Sequence, residues 1–136
     1  MIKNYVAFDL ETTGLNAESD FIIEIGALKV IDGKVCERFI EFVKPPMSIP
    51  RHITEITGIT NEMVSNAREI KDVVRDFVAF CEDFILVGHN ISFDYKFTKN
   101  SSITMRRTTT PKTAPRNLPP RRAQWPQTPT RALHTA

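Results

Sequence analysis

The hydrophobic pattern changes period several times along the chain, and each change marks an element. Residues 5–10 (YVAFDL) form a short, nearly continuous apolar run, the pattern of a central strand covered on both faces. Residues 21–31 and 34–44 are rich in β-branched and aromatic side chains and are separated only by Asp32-Gly33. An Asp-Gly pair between two such runs signals a hairpin, because a type I′ turn needs positive φ at both central positions. The two runs are therefore predicted to pair antiparallel. The segment KPPMSIPRHITEITGIT reads as a connection holding a brief helical turn, with Pro50 at its first position and Gly58 at its exit. Asn66 precedes Glu69 by three, as in a capping box, and predicts a helix from there to about Asp83. Within it Ile70, Val73, Val74, Phe77, Val78, Cys81 and Phe84 form one apolar stripe at helical spacing. Residues 84–88 read as another short strand, and Asn90 as the cap of a helix beginning at Ile91.

Three strands, a helix, a strand and a helix start predict an α/β sandwich built on a mixed sheet. Then the pattern stops. Residues 98–136 contain nine Thr, six Pro and six Arg, no acid and no Gly, with neither helix nor strand period. Such a composition buries too little apolar surface to offset ordering entropy, so this basic tail is predicted to be disordered.

Charge sharpens the same boundary. The chain has 136 residues and a net charge of +2, but residues 1–97 carry −6 and residues 98–136 carry +8. We read residues 1–97 as one incomplete domain and the abrupt change after Phe97, in mid-helix, as a shifted reading frame or mis-joined gene segment. The chain enters its first strand without a basic region and an apolar signal segment, and its longest apolar run is interrupted by Glu24 and Lys29. That run is far below the roughly 20 residues of a spanning helix. These features predict a cytoplasmic protein that does not enter a membrane. Cys36 and Cys81 are distant and lack metal-ligand spacing, which predicts two core thiols.

The chemistry lies in FDLETTG, residues 8–14, where a buried strand runs into Asp9 and Glu11. Side chains alternate along a strand, so the two carboxylates share one face while Phe8 and Leu10 enter the core on the other. A pair of carboxylates at a strand end can bridge hard divalent cations through oxygen ligands; the plain alternative is solvated strand-end acids. Asp94, in VGHNISFD, falls in the first turn of the helix leaving the next strand. Neighbouring strand ends of such a sheet meet in the crevice where ligands usually bind, so three acids can converge there. Glu24, inside an apolar strand, is read as a structurally paired acid, and Phe93 and Phe97 as core.

FDLETTG, ITGIT and HNISFD, in that order, resemble the first two motifs and the intervening segment of the DEDD (DnaQ-like) 3′-to-5′ exonucleases, the group that includes the epsilon proofreading subunit of bacterial DNA polymerase III. The resemblance spans residues 1–97. It implies an α/β, ribonuclease H-like mixed sheet flanked by helices, here truncated after the fourth strand, and a two-metal phosphodiesterase using Mg²⁺ or Mn²⁺. Carried over by position, it implies Asp9, Glu11 and Asp94 as catalytic metal ligands. It likewise implies Thr12, Thr13 and Thr57 lining the pocket for the terminal nucleotide, and His89 and Asn90 shaping the groove. The implied partner is the 3′ end of single-stranded DNA, with RNA left open, together with a DNA polymerase subunit.

The family's third motif, a His five residues before a fourth metal-binding Asp, is missing. No Asp or Glu follows Asp94, and after His134 only two residues remain. His89 and Asp94 have that spacing, but both already belong to the second motif. Impaired hydrolysis is the expectation. A non-catalytic nucleic-acid-binding or polymerase-associated module is the alternative.

Overall fold

The computed structural model describes residues 2–88. Strand β1 (Tyr5–Thr12) extends two residues past the apolar run that predicts it. It alternates as expected: Val6, Phe8 and Leu10 are buried, whereas Asp9 and Glu11 are half-buried on the other face. Strand β2 (Ile22–Ile31) pairs antiparallel with β1, and β3 (Lys34–Phe42) pairs antiparallel with β2. The turn between β2 and β3 is the one the sequence predicts, with φ of 51° at Asp32 and 77° at Gly33.

From β3 the chain crosses through α1 (Arg51–Thr57), α2 (Asn61–Val64) and α3 (Ile70–Cys81) and returns as β4 (Ile85–Val87), parallel to β1. The sheet order is β3-β2-β1-β4, mixed as predicted, with β1 central and β4 at an edge among the described residues.

Helix α3 covers one face of this sheet. Val73, Val74, Phe77 and Cys81 pack on Val6, Phe8, Leu10, Ile25, Ala27 and Phe39. Phe77 is the centre of this core: it is fully buried, and its ring lies 5.6 Å from that of Phe8 and 5.7 Å from that of Phe39. Lys29 is buried on the same face. Its ammonium sits over the rings of Phe80 and Phe84, at 4.7 and 5.2 Å, and pairs with Glu37 at 3.6 Å and Glu82 at 3.8 Å. A second cluster of Ile23, Ile49, Ile53, Ile59 and Val64 seats α1 and α2.

A β-bulge separates the two clusters. The β1–β2 register shifts between Glu11 and Thr12, so that Thr12 pairs with Ile22 and Ile23 is the extra residue. The shift sends Ile22 into the core under α3 and Ile23 into the cluster under α1 and α2.

Four local expectations are corrected. Helix α3 begins at Ile70 with Glu69 as its N-cap and no side-chain cap, so Asn66 and Glu69 form no capping box. The preceding chain is instead held by Arg68, which bridges to Val43 and whose carbonyl accepts from the Lys44 amide at 2.9 Å. The capping box lies earlier, at Thr60, whose hydroxyl accepts from the Met63 amide at the start of α2. Pro50 is the N-cap of α1 rather than its first residue, while Gly58 ends the helix at φ 74° as expected. Val78 belongs to the predicted stripe by spacing but is 42% exposed at its margin. Cys36 is exposed, not core, because the outer half of edge strand β3 has no layer over it and Cys36 falls where the register slips between Lys29 and Val30. Cys81 is buried as predicted, and burial pushes its thiol up to about 12.

Candidate active site

The site is built on the end of β1. Phe8 and Leu10 are anchored under α3, and this fixes Asp9 and Glu11 on the opposite face. Asp9 pairs across the ladder with Gly26, so β2 places no side chain directly against its carboxylate. One carboxylate oxygen of Asp9 accepts from the Leu10 amide at 3.1 Å. Glu11 pairs with Glu24, and these two acids stand directly opposite on the same face. Glu24 is only 8% exposed. A directly opposed pair brings β-carbons to roughly 4.5–5.5 Å, and like charges at that spacing are unfavourable without compensation. Asp9, Glu11 and Glu24 thus stand on one face of the sheet.

Such a donor set suits a hard divalent cation, which takes carboxylate oxygens. Yet among the described residues no three His, Cys, Asp or Glu side chains are grouped so as to hold a metal ion. The described part thus supplies two ligand candidates on one face but no closed site. Strand β4 runs parallel to β1 and ends with Val87 beside Ala7, so the two strands finish at the same side of the sheet. Asp94, His89 and Asn90, like the predicted helix from Ile91, Phe93, Phe97 and the basic tail, lie outside the described residues.

Behind Glu11 the chain enters a loop that joins β1 to β2. Thr12 and Thr13 are buried, and their hydroxyls act within the loop. Thr12 Oγ1 donates to the Gly14 carbonyl at 2.7 Å. Thr13 Oγ1 donates to Asp20 Oδ1 at 3.2 Å and accepts from the Phe21 amide at 2.9 Å, while the Thr13 amide donates to the Phe21 carbonyl at 2.9 Å. Asp20 Oδ2 accepts from the Asn16 amide at 2.9 Å. Thr57 is the last residue of α1; its hydroxyl donates to the Ile53 carbonyl at 2.8 Å and accepts from the Ile59 amide at 3.1 Å. It shapes the exit of α1 beside Gly58.

Two features escape the sequence reading. Glu24 is visible there only as an acid in an apolar run, since its place opposite Glu11 depends on register. Asp20 gives no stronger signal than an acid just before the second apolar run.

The fold agrees with comparisons to known proteins. The exonuclease family RNase_T matches residues 6–118, a span that runs past Phe97. The chain is 46% identical over 95 residues to DNA polymerase III PolC-type of Thermotoga petrophila and, over the same length, 46% identical to that of Bacillus subtilis; each match covers 70% of this chain. The corresponding protein of Clostridium perfringens is 44% identical over 104 residues, 76% of the chain. The chain spans only about 7% of the length of these relatives. Among solved structures, exonuclease X in complex with 5′ overhanging duplex DNA aligns with a TM-score of 0.60 and 32% identity, covering 68% of this chain and 52% of that one. Exonuclease I aligns with a TM-score of 0.65 at 19% identity, over 74% of this chain and 24% of that one, a likeness of fold.

Among the described residues, a mixed four-stranded sheet flanked by helices is a ribonuclease H-like fold. The chain belongs to the exonuclease family. Among the described residues no helix is long and apolar enough to cross a membrane.

Proposed function

We propose that this chain carries a 3′-to-5′ exonuclease domain directed at the 3′-terminal nucleotides of DNA, of the proofreading or repair type, with hydrolysis impaired. The observation that carries this reading is the placement of Asp9 and Glu11 together on one face at the end of β1, within an exonuclease family match and close to PolC-type polymerase sequences.

Asp9 and Glu11, joined by Asp94 from beyond β4, are the residues that would hold Mg²⁺ or Mn²⁺. A divalent cation bound there supplies Lewis-acid activation of water and charge stabilisation at the leaving oxygen. The chain's own contribution is to orient these oxygens. Phe8 and Leu10 fix the strand face, and the loop after Glu11 would form a wall for the terminal nucleotide, a role that the resemblance extends by position to Thr57, His89 and Asn90. RNA and DNA present the same terminal phosphodiester, so the preference for DNA rests on the kinship with polymerase sequences.

Residues 95–136 contain no His-x4-Asp motif, and water activation by a chain without one loses general-base help that typically contributes about 10²–10⁴-fold. The same lack favours a second reading, a module that binds single strands or a polymerase subunit without cutting. The test incubates purified chain and its Asp9→Asn variant with end-labelled single-stranded DNA and Mn²⁺. Turnover near that of an intact relative refutes the impairment. Slow, Asp9-dependent release of 3′ nucleotides supports the first reading, and salt-sensitive binding without degradation supports the second.

A further inference from the structure

The β1–β2 ladder runs from Tyr5 opposite Val30 to Thr12 opposite Ile22, with one bulge at Ile23, and the connecting loop lies beyond it. That loop is nonetheless tied down at almost every step, and the ties converge on Asp20. Its two carboxylate oxygens accept from Thr13 Oγ1 and the Asn16 amide, and its own amide donates to the Asn16 carbonyl at 2.7 Å. Asn16 in turn accepts from the Glu18 amide through Oδ1 at 2.9 Å and from the Ser19 amide through its carbonyl at 3.2 Å. The Asp20 carboxylate also fills the space beside Gly14: a β-carbon on Gly14 would overlap it.

This order does little for the core. Of residues 14–19 only Ala17 packs against it, and Leu15 stands 87% exposed. Thr13, the residue through which Asp20 grips the loop, lies two positions from Glu11.

We infer that Asp20 is a positioning residue, which acts through Thr13 and Asn16 to hold the loop in one conformation next to Asp9 and Glu11, ready for the 3′-terminal nucleotide of a single strand. The inference rests on the proposed reading that such a strand end binds beside these acids. A loop fixed in advance loses less freedom on binding, which is how a residue that touches no ligand strengthens affinity.

The chemistry of the contacts separates this from a merely structural role. Asparagine at this position keeps both contacts: its carbonyl oxygen faces the Asn16 amide, and its NH₂ donates to Thr13 Oγ1, which has a lone pair to spare. Alanine keeps neither. The full-length chain is titrated against a fluorescein-labelled dT10 oligonucleotide in Ca²⁺, by anisotropy, at a temperature where circular dichroism shows each variant folded. Asp20→Ala is expected to weaken binding about tenfold or more through lost preorganisation, while Asp20→Asn stays within about threefold of wild type because its contacts survive. Gly14→Ala, which pushes on the same carboxylate from the other side, is expected to weaken binding as Asp20→Ala does, and serves if Asp20→Ala does not fold. Undiminished binding by folded Asp20→Ala or Gly14→Ala, even with a lower Tm, overturns the inference alone. A folded wild-type chain that does not bind the oligonucleotide overturns the proposed function and this inference with it.

Discussion

Phe77 offers a quantitative test of what fixes the two site carboxylates on their face. Its ring is fully buried and packs on Phe8, the residue before Asp9, and on Phe39 from β3, so it joins α3 to both the central and the edge strand. Truncating a buried phenylalanine to alanine typically costs about 3–5 kcal/mol, because the lost transfer energy is joined by a cavity that backbone-anchored neighbours cannot fill. A domain of this size has roughly 5–13 kcal/mol in total. Phe77→Ala therefore removes a large fraction of it, and at about 4–8 °C per kcal/mol lowers Tm by at least about 12 °C. Val78, the next residue, lies at the exposed margin of the same helix, and Val78→Ala is expected to cost below about 1 kcal/mol. Urea denaturation followed by circular dichroism at 222 nm measures both, with a shifted midpoint and an unchanged slope as the signature of lost stability. Phe77→Leu, which leaves a smaller void, provides a measurable intermediate if the alanine variant does not fold. Equal losses at Phe77 and Val78, or a loss below about 1.5 kcal/mol for Phe77→Ala, would falsify the assignment of this ring as the anchor of β1.

Other consequences are open to direct measurement. If Asp9 and Glu11 act as ligands, Mn²⁺ at about 100 times its dissociation constant stabilises the folded chain by roughly 2.7 kcal/mol; Asp9→Asn and Glu11→Gln should each abolish the thermal upshift, and its persistence in both variants counts against them. Ellman's reagent should modify exposed Cys36 rapidly in the folded chain and reach Cys81 only on unfolding, so two fast thiols contradict the burial of Cys81. Because burial raises the Cys81 thiol from its ordinary 9.0 to about 12, the folded state holds that proton more tightly than the unfolded chain. The associated stability is complete below pH 9 and is lost as pH rises toward 12, at up to about 1.4 kcal/mol per pH unit. Cys81→Ala should remove that part of the alkaline slope, and an identical slope in both proteins refutes the shift. Gly58→Ala forces an alanine into the left-handed region at φ 74°, and thermal melts should register a loss of about 1–2 kcal/mol.

Much of this protein is legible in one dimension. The nearly continuous apolar run of β1, the Asp-Gly turn with both φ values positive, the 70–81 stripe and the order of the strands all follow from period and turn chemistry, which are local properties of a chain. So does the shared face of Asp9 and Glu11, because alternation needs no partner. Local signals also mislead where a nearby competitor wins: Thr60, not Asn66, forms a capping box, because the chain at Arg68 is held in a bridge to Val43.

What the amino-acid order could not disclose is whatever depends on pairing between distant segments. The bulge that turns Ile23 away from Ile22, the slip that leaves Cys36 on an uncovered edge, the meeting of Glu11 with Glu24 and the seat of Asp20 beside Gly14 are all settled by strand register and loop closure. A one-residue change of register reverses every side chain on a strand, while composition and periodicity stay the same. The sequence by itself determines which residues can carry the chemistry; only the folded sheet decides which of them share a face.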